Sequence, residues 1–280
     1  MIISNYHSHF KLDDGNGELH DYAEYALSQG MNIIGTSPHA PVYYENDWTM
    51  TEDGLSQYLQ EVKALKKEYK ERLEIYTGLE IDYLGKNGGP NDDKWNIPEL
   101  DYKIGSVHSM LDPVTNSELA VDGPVEELEM LLKNRFNGNI KELVKKYFQI
   151  EEEMIAKGGF DILGHCDLIK KRNMNNRFFD ENESWYKKLA AEMLDTLKGS
   201  DLIVEVNTGG ISRKATKDVY PSPWMLKRCL EMNIPLTLSS DAHKPQNLNF
   251  YFKESIELLK STGYREIYFF SNGIWHSQPI

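Results

Sequence analysis

The feature of this 280-residue chain that most constrains its fold is an alternation of short β-like runs with longer amphipathic helical segments. Residues 140–157 illustrate the helical pattern, because Leu143, Tyr147, Ile150 and Met154 recur every three or four residues and form one apolar face. Strands that are separated by helices are typical of βαβ units and a parallel sheet. The alternation predicts seven strands, at residues 2–6, 33–36, 74–79, 102–106, 161–164, 202–207 and 235–239.

Seven parallel strands favour a barrel over an open sheet, and the pattern continues to the end of the chain. We therefore predict one α/β barrel domain over residues 1–280. A last apolar run, residues 267–270, is either an eighth strand or a closing edge. Two segments rich in turn-forming residues, 84–99 and 111–124, are predicted to be insertions on the barrel rim.

Side chains that can bind metal occur where most of the predicted strands end. The carboxyl ends of the strands in a parallel barrel lie on one face, so we expect these side chains to converge there. His7 and His9 are two residues apart, and on an extended strand their rings point the same way. Imidazole and carboxylate together suit Zn, Fe or Mn rather than Ca or Mg alone. The candidates from the strand ends are His7, His9, His39, Glu80, His108, His165, Asp241 and His243.

Several other residues have two interpretations from sequence. Glu18 is either a ligand or an acidic residue favoured by the dipole in the first turn of a helix. Arg213 follows the sixth strand and either binds a phosphate group or is a solvated loop residue. The basic run 170–172 follows the His165 strand and likewise either binds a phosphate group or is a solvated face. Asp167 either orients a metal ligand or caps the next helix.

Composition limits the classes of function. The chain has 31 basic and 44 acidic residues, and a net charge of −13 argues against a nucleic-acid partner. An anionic substrate would need a locally positive site, which bound divalent metals would supply. P-loop, Rossmann, nucleophile-elbow and CxxC motifs are absent from the sequence, so nucleotide binding and serine catalysis lack support.

Targeting signals and cysteines favour a cytoplasmic protein without a membrane partner. The first residues lack the basic and apolar regions of a signal peptide, and no run approaches the roughly 18 apolar residues of a membrane span. Cys166 and Cys229 offer no disulfide framework, and both are predicted to lie in the core.

The order of the motifs HSH, SPH, GLE, GSVHS, GHCD, NTGG and SDAH resembles the polymerase and histidinol phosphatase (PHP) family. The resemblance is strongest to its histidinol-phosphate phosphatase branch and extends over nearly the whole chain. It includes the Arg213-Lys214-Ala215 and Val219-Tyr220-Pro221 segments.

This resemblance implies a distorted (βα)7 TIM-like barrel that holds three divalent metal ions, Zn, Fe and/or Mn. It also implies that Arg213 binds phosphate and that Lys171 makes a second phosphate contact. Relatives often have a histidine at the position of Glu18. The implied ligand sets are His7, His9, Glu80 and Asp241 for the first metal, Glu80, His108 and His165 for the second, and Glu18, His39 and His243 for the third.

The implied function is metal-dependent hydrolysis of L-histidinol phosphate to L-histidinol and phosphate, a step of histidine biosynthesis. Catalytic groups beyond the metal ligands are unknown, with Asp241 and His243 as candidate proton donors to the leaving group. One alternative is a related phosphoesterase that acts on another phosphomonoester, a nucleotide or phosphotyrosine. An alternative from a different class is a noncatalytic metal-binding module, which would bind metal without hydrolysing any phosphoester.

Overall fold

The computed structural model describes residues 3–280, so Ile2, the first residue of the predicted strand 2–6, lies outside the described residues. The strands of the described residues are β1 (Ser4–Asn5), β2 (Ile33–Thr36), β3 (Glu74–Asp82), β4 (Tyr102–Ser106), β5 (Ser109–Asp112), β6 (Ser117–Ala120), β7 (Ile162–Leu163), β8 (Ile203–Asn207), β9 (Leu236–Ser239), β10 (Glu266–Ser271) and β11 (Ile274–Pro279). Seven of them are parallel and form one sheet in the order β1-β2-β3-β4-β7-β8-β9.

The sheet curves into a nearly closed barrel, with its seam between the first and last strands. An isolated parallel bridge between Ser8 and Ala242 closes this seam just beyond the ends of β1 and β9. The Ala242 amide donates to the His7 carbonyl at 3.2 Å, and the His9 amide donates to the Ala242 carbonyl at 2.8 Å. The predicted (βα)7 barrel is confirmed.

Helices join the barrel strands and bury their apolar faces against them. In α4, Leu143, Tyr147, Ile150 and Met154 all lie in the hydrophobic core, as their spacing predicts. Within residues 3–280, no helix combines the length and apolar character needed to cross a membrane. The helices are α1 (Leu19–Ser28), α2 (Glu52–Tyr69), α3 (Val125–Phe136), α4 (Ile140–Lys157), α5 (Ser184–Asp195), α6 (Gly209–Ser212), α7 (Pro223–Glu231) and α8 (Phe252–Thr262).

The apolar run 267–270 is neither an eighth barrel strand nor a closing edge, so that prediction is wrong. It belongs to β10, which among the described strands pairs with β11 alone, in an antiparallel hairpin outside the seven-stranded sheet. Asn272 and Gly273 have φ angles of 53° and 79°. Two consecutive residues with positive φ form the tight turn of a β-hairpin, and here they reverse the chain between β10 and β11.

The hairpin covers the amino-terminal end of the barrel. Phe270 belongs to a buried cluster with Ile33, Tyr102 and Ile162, which are the first residues of β2, β4 and β7. The Tyr6 hydroxyl donates to the Phe270 carbonyl at 2.9 Å and accepts from the Phe270 amide at 2.7 Å. The opposite end of the barrel is thereby left as the open mouth.

The two segments that are predicted as rim insertions differ in structure. Residues 111–124 fall largely in a second antiparallel hairpin, β5–β6, which borders the cavity at the mouth. Residues 84–99 contain two short 3₁₀ helices, Gly85–Asn87 and Asp93–Trp95, and do not line that cavity.

Candidate metal centre

Glu80, at the carboxyl end of β3, is almost completely buried and lies at the centre of the barrel mouth. Histidines that follow four other strands converge on its two carboxylate oxygens, because all these strand ends lie at the same face of the barrel. The distances from a ring nitrogen to a Glu80 oxygen are 3.1 Å for His7, 3.4 Å for His9, 3.0 Å for His39, 3.5 Å for His108 and 3.0 Å for His165.

A second carboxylate, Asp241, lies at the same His9 nitrogen as Glu80 and joins the cluster to an arginine. Asp241 Oδ1 lies 3.4 Å from His9 Nε2, and Asp241 Oδ2 accepts from Arg213 Nη2 at 2.6 Å. Burial opposes ionisation of Asp241, but Arg213 and His7 outweigh that effect and hold the pKa of this carboxyl well below its usual range. Asp241 is therefore a carboxylate at neutral pH.

Four overlapping groups of side chains in the described structure bring potential ligand atoms within 4.8 Å of one another. They are His7, Glu80 and His165; His7, His9 and Asp241; His39, Glu80 and His108; and His9, Asp14, His39 and His243. All of the predicted ligands except Glu18 belong to at least one of these groups.

The donor atoms of this cluster fit divalent cations. Within residues 3–280, His7 Nε2, His9 Nε2, His39 Nδ1 and Glu80 Oε2 are buried and have no hydrogen-bond partner, although they face one another. Buried polar atoms without partners are rare because they are costly. A shared cation would give all four a partner, and imidazole with carboxylate is the ligand set that Zn, Fe and Mn accept.

Glu18 is not brought into the cluster. Its side chain is half-exposed and pairs with Lys11. Its backbone amide donates a hydrogen bond to Asp21 Oδ2 at 2.8 Å at the start of α1. Asp14 lies at the cluster instead, with its Oδ2 at 3.3 Å from His243 Nε2 and its Oδ1 at 3.9 Å from His39 Nε2. Burial opposes ionisation of Asp14, but His243 and His39 lower its pKa.

Sequence reasoning missed Asp14 because its position depends on a turn. The Phe10 amide donates to Asp13 Oδ1 at 2.9 Å, and the Asn16 amide donates to the His243 carbonyl at 2.9 Å, so the chain folds back over the mouth. The Asp-Asp-Gly sequence at residues 13–15, shortly after His9, was the available signal.

Three histidines of the cluster each have Nδ1 within hydrogen-bond distance of a buried carboxylate, and sequence reasoning also missed these three carboxylates as site residues. Their oxygens lie 2.9 Å from His7 Nδ1 for Glu205, 2.7 Å from His9 Nδ1 for Asp13, and 2.7 Å from His108 Nδ1 for Asp82. Burial opposes protonation of these rings, but the carboxylates outweigh it and raise the pKa of His9 and of His108 to about 10. Glu205 lies on β8 two residues before its last residue, Asn207, and Asp82 stands two residues after Glu80, so alternation along a strand could have indicated both.

A cavity of about 770 Å³ opens outward from the cluster. Arg213 and Lys171 both line it, and Lys171 Nζ lies 2.6 Å from Asp122 Oδ2. Lys170, the first residue of the predicted basic run, is instead buried and bonds Asp167 Oδ2 at 2.8 Å and Ser222 Oγ at 2.7 Å. Positive side chains therefore lie on the cavity wall beside the metal-binding groups.

The remaining sequence candidates lie outside the four groups. Cys166 and Cys229 are buried in the hydrophobic core, as predicted. Asp167 bonds the Ser222 amide at 2.9 Å and Lys170, and thus connects two loops rather than contacting one of the clustered histidines.

Comparison with known proteins identifies relatives over most of the chain. The family model of the PHP domain matches residues 4–209. A protein of Deinococcus radiodurans named a probable histidinol-phosphatase is 29% identical over 260 residues, which cover 90% of each chain. The histidinol-phosphatase of Bacillus subtilis is 27% identical over 268 residues, which cover 90% of this chain and 96% of that protein.

A solved structure shares the fold. The histidinol phosphate phosphatase of Lactococcus lactis, crystallised with zinc, L-histidinol and phosphate, aligns with a TM-score of 0.74 and 20% identity over 98% of each chain.

Proposed function

The chain belongs to the PHP domain family, and from this premise we propose that it is a metal-dependent histidinol-phosphatase, which hydrolyses L-histidinol phosphate to L-histidinol and phosphate. The names of the curated relatives, which match 90% of the chain, support this substrate. The observation that carries the proposal is the convergence of five histidines on Glu80, with Arg213 and Lys171 on the wall of the same cavity. A chain of net charge −13 thereby gains a site for an anionic ester.

The proposal includes three divalent metal ions, Zn, Fe and/or Mn. The first would bind to His7, His9, Glu80 and Asp241, and the second to Glu80, His108 and His165. The third would bind to His39, His243 and Asp14. Asp14 takes the place of Glu18 in this set because it lies close to both histidines. Bound cations of this kind supply Lewis acidity toward the phosphoryl oxygens and lower the pKa of water.

The protein's own residues would orient the phosphoryl group. Arg213 is held by Asp241 Oδ2 at 2.6 Å and lies 2.9 Å from His243 Nδ1, so its guanidinium has a fixed direction at the cavity wall. A planar guanidinium can pair with two phosphate oxygens, and the ammonium of Lys171 would add a second positive contact. Asp241 is ionised and has no proton to donate, so His243 remains as the candidate proton donor to the leaving alkoxide, a role open to it only while its Nε2 does not bind the third cation.

The proposal also includes a small-molecule substrate as the partner and a cytoplasmic location. Cys166 and Cys229 are both unpaired thiols, which suits a reducing compartment.

The test is phosphate release from L-histidinol phosphate by protein of measured metal content. We expect turnover by the wild type and a loss of at least about 100-fold in His108→Ala, because this change removes a ligand from the cluster around Glu80. His20→Ala is the matched control, since His20 is exposed and lies outside all four groups. Full activity in His108→Ala, or metal-loaded wild type that releases no phosphate, would contradict the proposal.

A further inference from the structure

The outer wall of the cavity carries a carboxylate that the proposed mechanism does not use. Glu118, on β6, is half-buried and lines the cavity, and within residues 3–280 no cationic side chain forms an ion pair with it. A neighbouring carboxylate on this wall, Asp122, is instead paired with a cation, Lys171, at 2.6 Å. Glu118 therefore keeps an uncompensated negative charge that faces the cavity.

Neighbouring segments fix the position of Glu118. The Tyr43 hydroxyl donates to Glu118 Oε1 at 2.8 Å and in turn accepts from Asn87 Nδ2 at 2.9 Å. The Ser109 hydroxyl donates to Glu118 Oε2 at 3.5 Å. Because Ser109 directly follows His108, the carboxylate lies on the same wall as the metal-binding cluster, one step further out.

An aromatic side chain lines the cavity beside the cluster. The Trp48 ring centroid lies 4.8 Å from that of His39 and 5.7 Å from that of His108. A substrate whose phosphoryl group contacts the cluster and Arg213 would place its alcohol portion in the remaining volume, which Trp48, Tyr43 and Glu118 border.

We propose that Glu118 is a specificity-determining residue that pairs with the ammonium group of the leaving alcohol. This inference rests on the proposed function, because the alcohol portion of L-histidinol phosphate carries a primary amine. The phosphoryl group of this substrate is an anion and would face Arg213 and Lys171. Its ammonium group is a cation and would face Glu118. A hydrogen bond between charged groups at a partly desolvated site corresponds to about a 10- to 100-fold effect on specificity.

The experiment compares Glu118→Gln with wild type on two substrates, L-histidinol phosphate and 3-phenylpropyl phosphate, which has a ring but no amine. Glutamine still accepts a hydrogen bond from Tyr43 but lacks the charge. We expect kcat/KM for histidinol phosphate to fall about 10- to 100-fold, mainly through KM, and kcat/KM for the neutral ester to change less than about threefold. Glu45→Gln, which removes an exposed carboxylate at the same cavity, is the matched control and should change either value less than about threefold.

The outcomes separate this inference from the proposed function. Suppose that wild type hydrolyses histidinol phosphate, and that Glu118→Gln either loses the same factor in kcat/KM on both esters or keeps the wild-type kcat/KM on both. The assignment of Glu118 is then wrong and the proposed function stands. If metal-loaded wild type hydrolyses the neutral ester but not histidinol phosphate, both the substrate and the role of Glu118 are refuted. If Glu45→Gln lost as much kcat/KM for histidinol phosphate as Glu118→Gln, the effect would come from the overall negative charge of the cavity. That result would also overturn the assignment of Glu118.

Discussion

Three histidines of the candidate metal centre, His7, His9 and His108, direct Nε2 toward the other ligands and Nδ1 toward a buried carboxylate. A carboxylate at Nδ1 fixes the orientation of the ring and increases the basicity of the nitrogen that binds metal. The ligand geometry is therefore set by residues one layer behind the ligands. At the residue scale, the site therefore depends on these supporting carboxylates as well as on the histidines.

Asp82 offers a test of this support, because it accepts from His108 Nδ1 at 2.7 Å and is not itself in any of the four groups of potential ligands. We expect Asp82→Ala to reduce metal affinity or kcat by about 10- to 100-fold, since the His108 ring loses its fixed orientation. Metal content after dialysis and kcat on histidinol phosphate would measure the effect.

Asp92→Ala is the control for this prediction. Asp92 accepts from the Gly89 amide at 3.0 Å in the 84–99 segment and does not line the cavity. Metal content and kcat within twofold of wild type in Asp82→Ala would show that Asp82 does not support the centre.

The sequence indicated the ligand residues at strand ends because strand direction alone brings those positions to one face. It did not indicate Asp14, whose place at the cluster depends on the bond from the Asn16 amide to the His243 carbonyl, 227 residues away. Glu18 was equally plausible from its type and position. Only the path of the turn at residues 10–17 distinguishes the two residues.

At the element scale, α4 shows both the strength and the limit of periodicity. Its bounds agree with the predicted range 140–157, because Asn139 caps its first turn and an apolar stripe continues to its end. The same periodicity gave no reason to expect Glu151, which is completely buried and accepts from the Tyr147 hydroxyl at 2.7 Å. Burial raises the pKa of Glu151 to about 8, so this carboxyl is mostly protonated at neutral pH.

Glu151→Gln should make stability less sensitive to alkaline pH. Between the ordinary pKa of 4.5 and the raised value of about 8, the unfolded chain releases a proton that the folded protein keeps. The unfolded state then binds fewer protons, so this residue lowers the free energy of unfolding as pH rises through that window. Glutamine cannot ionise, and the stability of the variant relative to wild type should rise by about 1 kcal/mol or more from pH 5 to pH 8.

Urea unfolding at the two pH values measures this difference. Glu153→Gln, on the exposed side of the same helix, is the control and should show no such trend beyond the loss of its contact with Lys146 at 3.2 Å. A constant difference between Glu151→Gln and wild type across pH would show that Glu151 is not protonated in the folded protein.

The hairpin β10–β11 shows why the prediction for the last apolar run, residues 267–270, was wrong. An apolar run of residues 267–270 has the composition of a buried strand, and it is partly buried. Composition does not specify which neighbour a strand pairs with. The Asn272-Gly273 pair was the decisive signal, because a tight turn makes pairing with the adjacent segment more favourable than pairing across the barrel.

At the scale of the whole molecule, one part of the metal-binding cluster lies at the seam, where the barrel is least connected. β1 and β9 are joined through the isolated bridge between Ser8 and Ala242 and its backbone bonds. His7 and His9 extend from one side of this seam and Asp241 from the other, and they form one of the four groups. A cation bound there would cross-link the first and last strands, so metal loading should affect the stability of the fold as well as activity.

Removal of metal by a chelator should therefore abolish phosphate release and lower Tm by about 5 °C or more, since a ligand present at 100 times its Kd stabilises the folded state by about 2.7 kcal/mol. Addition of Zn²⁺ should restore both. Hydrogen exchange should increase first at the amides of His9 and Ala242, whose backbone bonds close the seam. A general loosening of the protein would raise exchange equally at the Phe270 amide, which bonds the Tyr6 hydroxyl at the opposite end of the barrel. If the stripped protein kept the Tm of the loaded protein, the cations would have no role in closing the barrel, whatever their role in catalysis.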